Sequence, residues 1–185
     1  MGGKLVVITG PSGVGKSTIT RAVRRRTGAG FSVSVTTRPP REGEVDGRDY
    51  RFIDDETFQR MIHNGELLEW AEVFGERYGT PAEPVRRAIA RGETVILEID
   101  VQGGLQVAEK MSAATFVLIV PPSDDELARR LGARASEDAA AAQRRLAKAR
   151  KEMDTARSSG VYNHVVVNDD LDRAIDEVAR IVRDG

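Results

Sequence analysis

Leu5-Val6-Val7-Ile8-Thr9-Gly10-Pro11-Ser12-Gly13-Val14-Gly15-Lys16-Ser17-Thr18 decides the fold of this chain. An apolar run of strand length enters a glycine-rich turn, and the turn opens a helical stretch from Lys16 to Arg26. Gly10 and Gly15 bracket four residues ahead of Lys16 and Ser17, which is the phosphate-binding P-loop pattern in its required strand-to-helix setting. Glycines let successive backbone N–H groups converge on phosphate oxygens, and the helix directs its positive end to the same place. Lys16 supplies a mobile charge for the β and γ phosphates, and the Ser17 hydroxyl a ligand for Mg²⁺. A nucleoside triphosphate is the implied ligand.

Outward from that stretch, further apolar runs lie at Phe31 to Val35, Thr94 to Ile99, Thr115 to Val120 and His164 to Val167. They are continuously apolar, as in strands covered on both faces, and helix-like stretches separate most of them. Lys16 to Arg26, Val101 to Met111 and Ser123 to Leu131 are those stretches, and a last helix is expected from about Leu171 to Arg183, so the fold class is α/β with a parallel five-stranded core sheet flanked by helices. Capping boxes are expected at Thr80-Pro81-Ala82-Glu83 and Ser123-Asp124-Asp125-Glu126. The βα rhythm breaks from about 34 to 80, where a short helix at Asp55 to His63 sits between short strands. It breaks again from about 132 to 157, where Ala, Arg and Glu leave a thin apolar stripe expected of a helix that projects from the core.

Composition narrows the chemistry. The 185 residues suit one domain, and 28 Lys plus Arg against 29 Asp plus Glu give no global field for nucleic acid or an anionic membrane. Cysteine is absent, which excludes disulfides, zinc-thiolate and iron-sulfur sites and thiol nucleophiles, and fits a reducing, cytoplasmic setting. His63 and His164 lie in no base or metal spacing. No apolar run approaches the roughly 20 residues of a membrane span, and no signal peptide is expected. Arg24, Arg25 and Arg26 read as cations meeting a helix C-terminus rather than as a nucleic-acid patch.

At the end of the third long strand, Val95-Ile96-Leu97-Glu98-Ile99-Asp100 places acids where α/β sheets bind ligands. Asp100 has two readings: holding a Mg²⁺-bound water or a polar group of the second substrate, or capping the helix at Val101. The segment Ser34-Val35-Thr36-Thr37-Arg38-Pro39-Pro40-Arg41 carries two guanidinium groups on a proline-stiffened loop, and Tyr50 follows, a set suited to a phosphate dianion.

Through GPSGVGKST, SVSVTTRPPREGEVDGRDY, LLEWAEVFGERYGTP, ILEIDVQGG and VVVNDDLDRA, nearly the whole chain resembles the guanylate kinases, P-loop nucleoside monophosphate kinases. The resemblance implies Mg²⁺-dependent transfer of the γ-phosphoryl group of ATP to GMP, giving ADP and GDP, in purine nucleotide metabolism and GMP recycling. It implies one domain with a core of about 1–33, 81–131 and 158–185, a GMP-binding subdomain at about 34–80 and a helical lid at about 132–157. Arg38, Arg41, Tyr50 and Tyr78 would hold the GMP phosphate. Glu69 would accept from guanine N1–H and the 2-amino group, Ser34 and Thr80 would donate to O6, and Asp100 would complete that side. Gly10, Pro11, Ser12, Gly13, Val14, Gly15, Lys16, Ser17 and Thr18 would hold ATP, with Asn168 on the adenine side and Ser17 on the metal. Lys16, Arg38 and the lid arginines Arg130, Arg134 and Arg145 would carry catalysis.

Ala135 stands where the family commonly has Gly, and Ala139 to Ala142 replace a more apolar lid helix. Trp70 is expected in the subdomain core, and Asp170 as a helix cap. Expected partners are the small molecules GMP, dGMP and ATP, with no nucleic acid or membrane and with monomer and homodimer both open. Two rival readings are a kinase for another acceptor, against which Ser34, Glu69 and Thr80 speak, and a noncatalytic interaction module, against which the intact P-loop speaks.

Overall fold

A computed structural model describes residues 2–73, 75–132 and 139–184, with backbone alone for 139–142. The helices are α1 (Lys16–Thr27), α2 (Asp55–His63), α3 (Ala82–Ala90), α4 (Val101–Lys110), α5 (Asp124–Gly132), α6 (Ala139–Ser159) and α7 (Leu171–Asp184). The strands are β1 (Lys4–Thr9), β2 (Gly30–Phe31), β3 (Val35–Thr36), β4 (Arg51–Phe52), β5 (Leu67–Val73), β6 (Glu76–Pro81), β7 (Thr94–Glu98), β8 (Thr115–Val120) and β9 (His164–Val167).

Five strands form a parallel sheet in the order β2-β7-β1-β8-β9. The sequence of β1 explains its central place, because residues from Leu5 to Ile8 are all apolar and both faces are covered. Val6 and Ile8 pack with Ile19 and Val23 of α1 and Val178 and Val182 of α7. Leu5 and Val7 point the other way, to Val85 and Ala88 of α3 and Val107 of α4. Burying each such side chain stabilises by about 1.5–3 kcal/mol, and slipping the β1 register by one residue would exchange the two faces. Because β1, β7 and β8 run parallel, their carboxyl ends meet at one edge, where the P-loop and the acids Glu98 and Asp100 sit.

The second sheet, β4-β3-β6-β5, is mixed, with α2 packed over it through Phe58 and Met61. Phe31 to Val35 reads as one strand in the sequence, but the chain divides it between the sheets. Gly30 and Phe31 edge the parallel sheet, and Val35 and Thr36 pair in the mixed one, so the three residues between are the crossing. A bulge between Leu67 and Glu69 lets three successive residues turn inward. Leu67 joins the Val35 and Phe58 cluster, Leu68 enters the main core beside Val7, and Glu69 faces Thr80.

Several expectations need correction. The Thr80 capping box does not form: Pro81 is the residue before α3 and no side chain caps that helix, because the Thr80 hydroxyl is committed elsewhere. Trp70 is not core; it is 36% exposed on an edge strand. At the other box Ser123 accepts from the Glu126 N–H at 3.2 Å, and the Glu126 carboxylate turns to arginines instead of reciprocating. The long helix α6 does not stand clear of the core along its second half, where Ala149 and Met153 pack on Leu127 and Leu131, and Ala156 on Leu118. Arg134 and Ala135 lie outside the described residues. Among the described residues no helix is long and apolar enough to cross a membrane.

Candidate active site

One end of the site is made mainly of backbone. The chain from Gly10 to Gly15 wraps the start of α1, and Lys16 folds back so that its ammonium donates to the carbonyls of Gly10 (2.6 Å) and Pro11 (3.0 Å). Burial lowers the Lys16 pKa, and Glu98, Glu152 and Asp100 act in the opposite direction. Ser17, in the first turn of α1, hydrogen-bonds the Glu98 carboxylate at the end of β7. A hydroxyl and a carboxylate side by side are hard oxygen donors of the kind Mg²⁺ takes. Thr18 is exposed in the same turn. Asp100 accepts from the Gly103 N–H at 2.8 Å, so its capping reading is realised. That bond leaves its second oxygen for other work.

Asn168 stands beside the P-loop. It is 5% exposed, and its amide donates to the Val14 carbonyl at 2.8 Å, clamping the P-loop from beneath. Gly15 adopts φ +98, and a Cβ there would stand 2.6 Å from the Asn168 amide nitrogen. Glycine is thus required both by conformation and by the clamp. The Asn168 carbonyl accepts from Arg130 at 2.9 Å, and Glu126 holds the same guanidinium at 2.7 Å. Two arginines, Arg129 and Arg130, draw the Glu126 pKa down to about 2. Arg145 lies on α6, half-buried. Asp170 caps α7 by accepting from Arg173 N–H at 2.8 Å.

The other end is made of side chains from several elements. Glu69 is 6% exposed and accepts from the Thr80 hydroxyl at 2.5 Å. Burial pushes its pKa up to about 7; the Thr80 bond and Lys110 oppose the rise and Asp100 adds to it. The antiparallel pairing Val35↔Gly79 and Thr36↔Tyr78, extended by one step, sets Ser34 opposite Thr80. Farther out, Arg38 lies 5.6 Å from the centre of the Tyr50 ring, and Tyr50 meets Tyr78 edge-on at 6.0 Å. Arg38 also donates to both Glu44 oxygens, at 2.9 and 3.0 Å, and Glu44 accepts from the Arg41 N–H at 2.7 Å. Glu44, then Tyr78, raise the Arg38 pKa, and Arg38 with the Arg41 N–H lowers that of Glu44. The Arg41 side chain is exposed.

The sequence-predicted residues therefore gather into two groups. Gly10 to Thr18, Asn168 and Arg130 gather at the P-loop, while Tyr78 lies on the same face of the mixed sheet as Ser34, Glu69 and Thr80, and Tyr50, with Arg38 beside it, meets Tyr78. Sequence reasoning misses Glu98, Glu44 and Glu126 as partners of Ser17, Arg38 and Arg130. Each has a signal in hindsight, since Glu98 ends a buried strand, Glu44 follows two arginines across a tight turn, and Glu126 stands four residues before Arg130.

Residues 2–185 match the family model described as Guanylate kinase. This chain belongs to the guanylate kinase family. A curated relative, the guanylate kinase of Gloeobacter violaceus, is 52% identical over 97% of this chain and 86% of its own length. The guanylate kinase of a Thermus thermophilus strain is 46% identical over 98% of this chain and 81% of its own length. Among solved structures, the guanylate kinase from Anaplasma phagocytophilum superimposes with a TM-score of 0.74 at 34% identity, covering 98% of this chain and 85% of that one. The fold is the P-loop nucleoside monophosphate kinase fold, and the chain is a kinase whose reaction is ATP-dependent phosphorylation of GMP.

Proposed function

We propose that the two groups described above are the ATP and GMP ends of one catalytic cleft. The observation that carries this reading is the pair Glu69–Thr80, a buried carboxylate with one oxygen tied to a hydroxyl at 2.5 Å and the other left for a ligand. Guanine presents two adjacent donors, N1–H and the 2-amino group, and adenine has no N1–H at that place. A carboxylate held in a dry site discriminates strongly between them, because adenine leaves it unpaired. Ser34 serves O6, and Thr80 joins it by turning its one hydroxyl proton from Glu69 to the base. Arg38, Arg41, Tyr50 and Tyr78 hold the phosphate, with Arg38 exchanging part of its Glu44 contact for phosphate oxygens.

At the ATP end the P-loop amides and Lys16 take the phosphates, and Lys16 leaves the Gly10 and Pro11 carbonyls to do so. Ser17 and Glu98 fit Mg²⁺, directly or through water, and the ion when bound neutralises charge on the β and γ phosphates. Asn168 acts by shaping the loop, and Arg130, Arg134 and Arg145 bring charge to the transferring group. A GMP phosphate oxygen attacks the γ-phosphorus in line, the bond to the ADP oxygen breaks, and no protein nucleophile takes part. Residues 34–80 act as the GMP-binding subdomain and about 132–157 as the lid, and closing them excludes water. dGMP is accepted as well, and the setting is cytoplasmic purine nucleotide metabolism with GMP recycling.

The test is a coupled assay of ADP release with ATP and Mg²⁺, offering GMP, AMP, CMP and UMP in parallel. Turnover confined to GMP is the expected result. Equal turnover with AMP would remove the Glu69 reading, and none with any acceptor would remove the cleft.

A further inference from the structure

Strand β5 is the free edge of the mixed sheet, so some of its backbone groups have no strand to pair with. Helix α4 of the core supplies the pairing by side chains. Gln106 uses both ends of its amide on one residue: its oxygen accepts from the Trp70 N–H at 3.1 Å, and its nitrogen donates to the Trp70 carbonyl at 2.9 Å. One turn on, Lys110 donates to the Leu67 carbonyl at 2.9 Å. Gly103, Gln106 and Lys110 are three and four apart, so they form one stripe of α4 laid along β5. Glu69 stands between the two anchored residues. At the head of the stripe Gly103 lies against Glu69, since a Cβ there would come within 2.9 Å of the second Glu69 oxygen and would oblige that carboxylate to shift.

We propose that Gln106 and Gly103 are specificity-positioning residues for the acceptor base. The Gln106 amide fixes the β5 backbone next to the bulge, and the bare Gly103 lets α4 close to contact distance, so the Glu69 carboxylate is set at one depth and one orientation. This rests on the reading of Glu69 as the guanine-recognising group. Neither residue touches substrate, and both act through Glu69. A carboxylate displaced by a fraction of an ångström keeps its charge but loses the paired geometry that guanine needs. Phosphate binding by Arg38, Tyr50 and Tyr78, on other strands and loops, is untouched.

The experiment measures kcat and KM for GMP and AMP, and KM for ATP, in five proteins: the parent, Glu69→Gln, Gln106→Met, Gly103→Ala and the double variant Glu69→Gln/Gln106→Met. Methionine keeps the volume of Gln106 and removes both hydrogen bonds, and Gly103→Ala reaches the same carboxylate with the latch intact. Loss of two hydrogen bonds that orient a charged acceptor predicts about a tenfold fall in the ratio of kcat/KM for GMP to that for AMP. The loss falls on KM for GMP, with kcat and KM for ATP within about twofold of the parent. The double variant shows no further fall beyond Glu69→Gln. A parent-like ratio in both Gln106→Met and Gly103→Ala, or the same proportional loss with and without Glu69, overturns the inference. No change in the ratio on Glu69→Gln overturns the base reading itself, and this inference with it.

Discussion

The two ends of the cleft are built from different material. The P-loop end is backbone folded over a helix terminus, clamped by one buried amide, and its donors are useless for anything but an anion. The proposed guanine end is side chains, brought by β3, β5, β6 and the start of α4, and its central group is a buried carboxylate bonded to Thr80, its charge disfavoured by Asp100 and favoured by Lys110. Backbone cradles are stable before the ligand arrives. A buried carboxylate is held against its own solvation, so selectivity at that end is set against folding stability.

Breaking the phosphate end gives the largest effect. Lys16→Ala is expected to lower kcat by roughly 10³-fold, read as ADP release at saturating GMP and ATP, with folding unchanged. Breaking the base end does something else: Glu69→Gln is expected to reduce the preference for GMP over AMP by about 10²-fold, seen as a ratio of kcat/KM values. Lys16→Ala leaves that preference intact in binding measurements, and this is how the two ends are told apart.

The pH dependence sharpens the contrast. On the proposed reading Glu69 serves guanine as a carboxylate, and burial raises its pKa to about 7, so kcat/KM for GMP is expected to fall as pH drops below about 7. The limiting slope from this group is about tenfold per unit, and Glu69→Gln abolishes that component while the ionisation of GMP itself remains. Stability moves in the opposite sense. The folded state holds the Glu69 proton up to about 7 and the unfolded chain releases it near 4.5, so stability falls as pH rises through that window and levels off above it. Glu69→Gln is therefore expected to stabilise the protein at pH 8, by up to about 3 kcal/mol, and by little at pH 4, in denaturant titrations. The smallest effect belongs to the clamp. Asn168→Ala removes one buried hydrogen bond to Val14 and is expected to raise KM for ATP a few-fold, leaving the GMP preference unchanged.

The same contrast explains what is legible in the sequence. The P-loop is a local backbone program, so residues Gly10 to Ser17 announce their conformation and, with it, the ligand proposed for them. The buried strands from Leu5, Thr94, Thr115 and His164 are legible because each is a continuous apolar run in a sheet covered on both faces. Side-chain partnerships across the chain are not. Ser17 meets Glu98 across 81 positions, and Trp70 meets Gln106 across 36, with no periodic signal to mark either. Thr80 reads as a cap because hydroxyl, proline and Glu83 in series do favour a helix start. A buried carboxylate competes better for that hydroxyl than an exposed helix end does. Phe31 to Val35 shows the same limit, since an apolar run does not say where a chain changes sheets.

The most direct test of the account is a carbon-detected NMR titration of the Glu69 side-chain carboxyl, assigned through Glu69→Gln, with and without GMP. The account predicts a midpoint near 7 in the free protein and a fall well below it when GMP binds, because guanine's two donors favour the charged form. A midpoint near 4.5 in the free protein, or one that GMP leaves in place, would contradict it.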